Sequence, residues 1–114
     1  MNEWVESILE HMLEDAQDVI TFTEKVGSYE SFSQDNMARK AIVMSLLNIG
    51  ELANHLPSKY TGAHPEIPWS NMIGMRNIAA HGYRTMSLSA IWDTTQNSVP
   101  KLLSFLQTQL SERT

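Results

Sequence analysis

An all-α fold, an antiparallel four-helix bundle with a short third helix, is predicted for this 114-residue chain by three observations. Apolar residues recur at three- and four-residue spacing over long stretches, which is the period of a helix face. Gly27, Pro57 and Gly82 fall where those stretches end, as helix stop signals do. No run of alternating residues is long enough to make a strand. The length suits one domain, residues 1–114, built around a single core.

The first element spans Trp4 to Val26, where Val5, Ile8, Leu9, Met12, Ala16, Val19, Ile20 and Val26 line one face. Gly27 is placed to end it, because glycine accepts the left-handed conformation common after a helix. Gly27 to Phe32 then reads as a connector, with Ser33 or Asp35 as the next cap. The second helix is expected from about Gln34 to Leu56, with Met37, Ala41, Met44, Leu47 or Asn48, Leu52 and Leu56 on one face. Ile42, Val43, Leu46 and Ile49 widen that stripe, either to fill a thick core or to bury a second side against another subunit. Gly50, mid-helix, costs about 1 kcal/mol relative to alanine and so points to a close helix approach.

Pro57 ends this helix, and Ser58 to Ile67 reads as a polar loop. Pro68 suits the first turn of a short third helix running to Gly82. Ser87 is placed to cap a fourth, along which Leu88, Ile91, Trp92, Thr95, Val99, Leu102, Leu103, Leu106 and Leu110 repeat. Pro100 interrupts it, and a kink or a break just before that residue is expected. Trp69 and Trp92 are expected to pack the third helix against the fourth.

Composition narrows the function. With 42% hydrophobic and 18% charged residues the chain is ordinary for a globular protein. No stretch approaches the roughly 20 apolar residues of a membrane span, and the acidic N-terminus is unlike a secretion signal, so the expected location is the cytoplasm. The absence of cysteine excludes disulfides, thiolate metal sites and a cysteine nucleophile. A net charge of −5 argues against a broad grip on nucleic acid but leaves room for a local basic site drawn from Arg39, Lys40, Arg76 and Arg84. His11, His55 and His64 lie in separate segments without paired ligand spacing, so no metal is expected. Met37, Met44, Met72 and Met75 read as adaptable core or interface filler.

The chemistry concentrates in Arg76-Asn77-Ile78-Ala79-Ala80-His81-Gly82-Tyr83. Arginine is a permanent planar cation matched to phosphate oxygens, and histidine exchanges protons near neutrality. A helix C-terminus favours the protonated imidazole. Metal-independent RNA cleavage needs this pair, one group to move a proton and a fixed cation at the phosphorus. Two protons move in such a reaction, so a symmetric dimer bringing two His81 side chains into one cleft would supply both acid and base. The bland alternative is a helix-capping histidine and a surface salt bridge. Asn77 would hold His81, bind phosphate, or make a structural hydrogen bond. Glu51 would orient His81 or Arg76, or be an ordinary solvated or interface glutamate. Tyr60 or Tyr83, if exposed, would stack a base.

The motif Arg-X4-His-X-Tyr sits between Pro65-Glu66-Ile67-Pro68-Trp69, Gly74-Met75-Arg76-Asn77 and His81-Gly82-Tyr83. Together with Asn48-Ile49-Gly50-Glu51-Leu52-Ala53, Ile91-Trp92 and Val99-Pro100, it resembles the HepT-like branch of the HEPN superfamily over most of the chain from Ala41 onward. The resemblance implies a HEPN-like homodimeric bundle acting as the ribonuclease toxin of a toxin-antitoxin pair, with a minimal nucleotidyltransferase as antitoxin and no cofactor. Arg76 and His81 would carry cleavage of the RNA substrate, and Tyr83 would accept AMP from the antitoxin. A non-catalytic nucleotide- or substrate-binding subunit of the transferase is the alternative. The acidic face of the first helix is either solvated or a docking surface for a basic antitoxin.

Overall fold

The computed structural model describes residues 1–76 and 87–112. Among these the fold is all-α, without strands. Helix α1 covers Glu3–Val26, opened by Asn2, whose Oδ1 accepts from the Val5 N–H at 2.8 Å. It closes at Gly27, where φ is 83° and the N–H returns to the Thr23 carbonyl. Helix α3, Asn36–Asn54, lies along α1 and is capped by Asp35, which accepts from the Ala38 N–H. Ser33 is not the cap; its hydroxyl bonds the Glu30 carbonyl.

The segment expected as a connector after Gly27 contains a helix, α2, Tyr29–Gln34. Ser28 caps it, and Phe32 is fully buried against Trp92, with ring centroids 5.2 Å apart. Six residues are too few to display a period, so tertiary burial of one phenyl ring makes this turn of helix. The expected loop after Pro57 likewise holds α4, Ser58–Ala63. Its Tyr60 hydroxyl donates to Gln109 at 3.1 Å, and burial, with Glu66 nearby, pushes the phenol up to about 12.

The last helix is composite: α6, Leu88–Asp93, capped by Ser87, then a π-helical turn over Thr94–Ser98, then α7, Val99–Ser111. The interruption expected around Pro100 is therefore a π turn just before it. Pro100 has no N–H and its ring crowds the carbonyl four residues back, and the wider turn relieves both problems. The Val99 N–H reaches the Thr94 carbonyl, five residues back. Trp92, expected against the third helix, has its ring contacts among the described residues with Tyr29 and Phe32 of α2.

The core joins one face of α1 (Leu9, Met12, Ala16, Val19) to α3 and to Val99, Leu102 and Leu106 of α7. On α3 the core-facing residues are Ile42, Val43, Leu46, Ile49 and Ala53. The Met37–Met44 stripe, expected on the packed face, points the other way, with Met37 80% and Met44 58% exposed. Both faces carry apolar side chains, so period alone does not say which meets the core; the β-branched and Leu-rich face wins because it fills the space between α1 and α7.

A polar pair, Asp15 and Asn48, joins α1 to α3. Burial raises the Asp15 carboxyl above its usual 3.8, opposed by the Asn48 hydrogen bond and reinforced by Asp18 and Glu14. A carboxyl that holds its proton more tightly when folded contributes stability that is present below the unfolded pKa and lost as pH rises through the folded one. Asp15→Asn is thus expected to match the wild type in denaturant melts at pH 3 and to exceed it at pH 7 by less than about 1 kcal/mol after solvent screening.

Candidate functional site

The site is built on α5, Trp69–Gly74, followed by a turn at Met75 and Arg76. Its start is anchored by Trp69, which is buried, donates through Nε1 to the His64 carbonyl at 2.8 Å, and meets Phe105 of α7 edge-on. His64 is thereby absorbed into structure, its ring between Tyr60 and Phe105. Met72 and Met75 are buried beneath α5. Of the two tryptophans expected to tie the third helix to the fourth, Trp69 does so.

The close approach expected from Gly50 is present. A Cβ at this position would stand 2.7 Å from the Met72 carbonyl oxygen and 3.3 Å from both the N and the Cγ of Arg76. The missing methyl lets the end of α5 rest on α3, with the stem of Arg76 over the glycine. The neighbouring Glu51 receives a hydrogen bond from Arg76 Nε at 2.6 Å. This contact uses the nitrogen at the root of the guanidinium, not the terminal amino groups that form a fork on phosphate. With the arginine side chain 41% and the glutamate 45% exposed, the pair contributes at most about 1 kcal/mol of stability. Its consequence is orientation: a long, flexible cation is held in one direction at the protein surface.

Arg39 does not join this site. Its Nη1 donates to the Ser33 carbonyl at 2.6 Å, closing the end of α2. Lys40, exposed on α3, is eleven residues before Glu51, about 16 Å along the helix. His11 bonds its own helix at the Ser7 carbonyl, and His55 caps α3. Asn77, His81, Tyr83 and Arg84 lie outside the described residues, so Arg76 and Glu51 are the members of the expected site that can be placed. On the far side of α5, a groove of about 510 Å³ opens between Pro68, Asn71 and Gly74 and the π-turn residues Thr94 and Ser98. Nothing in the hydrophobic period of the last helix signalled that groove.

A family model described as Ribonuclease HepT-like matches residues 12–108, nearly the whole of this arrangement. The chain belongs to the HepT-like ribonuclease family. A Methanocaldococcus jannaschii protein named "Putative RNase" is 34% identical over 98 residues, 86% of this chain and 89% of the relative. A Caldanaerobacter subterraneus protein of the same description is 33% identical over 82% of this chain and 83% of the relative. The "Probable ribonuclease HepT" of Thermococcus cleftensis is 31% identical over 82% and 84%. No solved structure matches the chain. Membership of the HepT-like family agrees with the all-α bundle, and no helix among the described residues is long and apolar enough to cross a membrane.

Proposed function

We propose that this chain is a metal-independent endoribonuclease, the toxin of a pair whose other member is a minimal nucleotidyltransferase. The observation that carries the reading is Arg76, a surface cation oriented by Glu51 and seated on Gly50, inside a match to a ribonuclease family. One imidazole of His81 takes the proton of an RNA 2'-hydroxyl, and the oxygen attacks the adjacent phosphorus. The bond to the 5'-oxygen breaks, and that oxygen takes a proton from a second, protonated imidazole, the His81 of a symmetry mate in a homodimer. Arg76 stabilises the charge gathering on the phosphoryl oxygens, Asn77 supports the histidine, and the products are a 2',3'-cyclic phosphate and a free 5'-hydroxyl.

Control by the transferase partner follows from the same chemistry. AMP transferred from ATP to the Tyr83 oxygen, with release of pyrophosphate, adds bulk and negative charge two residues from His81, competing with RNA for Arg76. The alternative, a non-catalytic partner subunit, draws support from the net charge of −5, which provides no general attraction for RNA.

Two measurements test the reading. Unmodified protein is expected to cleave a mixed RNA pool in excess chelator, and His81→Ala to lose that activity. Equal cleavage by both proteins, or none by the wild type, would replace the enzyme by the non-catalytic subunit. After co-expression with its transferase, the intact mass is expected to rise by one or more AMP units, and Tyr83→Phe to stay unmodified.

A further inference from the structure

The groove of about 510 Å³ on the far side of α5 takes no part in the chemistry assigned to Arg76, yet the two adjoin. Met75, which lines the groove, immediately precedes Arg76, so their Cα atoms stand about 3.8 Å apart. A Cβ added at Gly74, on the same rim, would meet nothing within 4 Å, so the groove is open beside the turn that carries the arginine. The opposite wall is the start and end of the π turn that accommodates Pro100. Turns of this kind occur often at functional sites. Its side chains are tied down: the Thr94 hydroxyl donates to the Ala90 carbonyl at 3.0 Å, and Asn97 Nδ2 donates to Asp93 Oδ1 at 2.7 Å.

Among the described lining residues Asp93 alone carries a charge. Its hydrogen-bond partner Asn97 is neutral, so the carboxylate remains an anion, and an ionised carboxylate only accepts, with room for several donors. A phosphate is repelled by such a group, whereas an edge with two adjacent N–H donors matches it in bidentate fashion. Met72 and Met75 line the same groove with polarizable thioethers, which make favourable contacts with aromatic rings. The groove thus suits a planar ring with paired donors better than it suits a sugar-phosphate chain.

Of the RNA bases, guanine alone presents two donors side by side on its Watson–Crick edge, N1–H and the 2-amino group. Adenine and cytosine set a ring-nitrogen acceptor beside one amino group, and uracil flanks one N–H with two carbonyls, so each meets a carboxylate with a repelling lone pair. Single-stranded RNA is read on these edges once a base is splayed out of its stack. On the ribonuclease reading above, we propose that this groove is a guanine subsite for the RNA strand, in which Asp93 accepts from N1–H and the 2-amino group while Arg76 meets a phosphate of the same strand. The groove then selects where along an RNA the cleavage falls, and the cation and the carboxylate on either side of α5 divide the backbone from the base.

Fluorescence anisotropy with 2'-O-methyl hexanucleotides tests this apart from cleavage, because the methylated oxygen cannot attack phosphorus. Oligouridine carrying one guanine is expected to bind the unmodified full chain about tenfold more tightly than the same strand carrying one adenine. Inosine in that place, which lacks the 2-amino group, is expected to lose most of the gain. Asp93→Asn keeps an acceptor for Asn97 but offers the base one donor and one acceptor, so it is expected to remove the guanine preference with helical circular dichroism unchanged. Gly74→Leu is expected to remove it by filling the open rim. Guanine and adenine strands bound equally or not at all by the wild type, or a preference that both variants retain, would overturn the subsite, and cleavage of mixed RNA would then decide the ribonuclease reading by itself. A guanine preference in a protein that cleaves nothing would keep the subsite and overturn the nuclease. GMP competing as well as the guanine strand would overturn the assignment to RNA and give the groove to a free nucleotide.

Discussion

Arg76→Ala is expected to lower RNA cleavage by about 10²–10³-fold while the thermal unfolding of the protein hardly moves. The first half of this expectation follows from the role of a fixed cation opposite charge that develops only in the transition state. The second half follows from exposure. Arg76 is bound to Glu51 in a pair open to water, so its loss leaves behind a carboxylate that solvent can still hydrate. Arg76→Lys is expected to recover little, because an ammonium lacks the Nε that Glu51 holds and the fork that faces phosphate. Glu51→Gln separates positioning from charge: it keeps an acceptor for Nε, so its loss of activity should be about tenfold or less. Chelator-treated cleavage assays beside thermal melts decide the matter, and an Arg76→Ala protein that cleaves RNA at the wild-type rate would remove Arg76 from the mechanism.

Gly50→Ala is expected to destabilise the protein and to reduce cleavage by more than the loss of fold explains. Helix propensity alone predicts the reverse, since alanine in a helix interior is favoured over glycine by about 1 kcal/mol. The added methyl, however, would stand 2.7 Å from the Met72 carbonyl oxygen, a backbone atom that cannot swing aside. Overpacking of this kind costs about 1–3 kcal/mol, so set against the propensity gain the net loss of stability is about 0–2 kcal/mol, at about 4 °C in Tm per kcal/mol. The end of α5 must move away from α3, carrying Arg76 with it, and a displacement near 1 Å at a catalytic group can lower the rate about 10²-fold. A thermal melt shows the first effect. Cleavage at a temperature where the variant is fully folded shows the second, and a stabilised, active Gly50→Ala would show that α5 and α3 do not bear on each other there.

Much of the bundle was legible from local pattern. The period of α1, its stop at Gly27 and the caps at Asp35 and Ser87 all rest on interactions within a few residues of each other, which sequence displays directly. Helix α2 and α4 were not legible, because each is a single short segment held by partners far along the chain, Phe32 by Trp92 and Tyr60 by Gln109. Pro100 announced a disturbance in the last helix, and the form it takes, a π turn over Thr94–Ser98, depends on how α6 and α7 must both reach the core.

The site divides along the same line. Residue types mark Arg76 as the fixed cation of the octet and Gly50 as a close approach, while Glu51 stays open between a positioning carboxylate and an ordinary glutamate, and the resemblance to the HepT-like branch is what gives Arg76 its weight. Their meeting is a tertiary event: Glu51 and Arg76 are 25 residues apart and come within 2.6 Å only because Gly50 admits the end of α5. The face of α3 that turns outward is also a tertiary outcome. Period places apolar side chains on two sides of that helix, and only the competition to fill the space beside α1 and α7 decides that Ile42, Leu46 and Ile49 go inside while Met37 and Met44 remain at the surface.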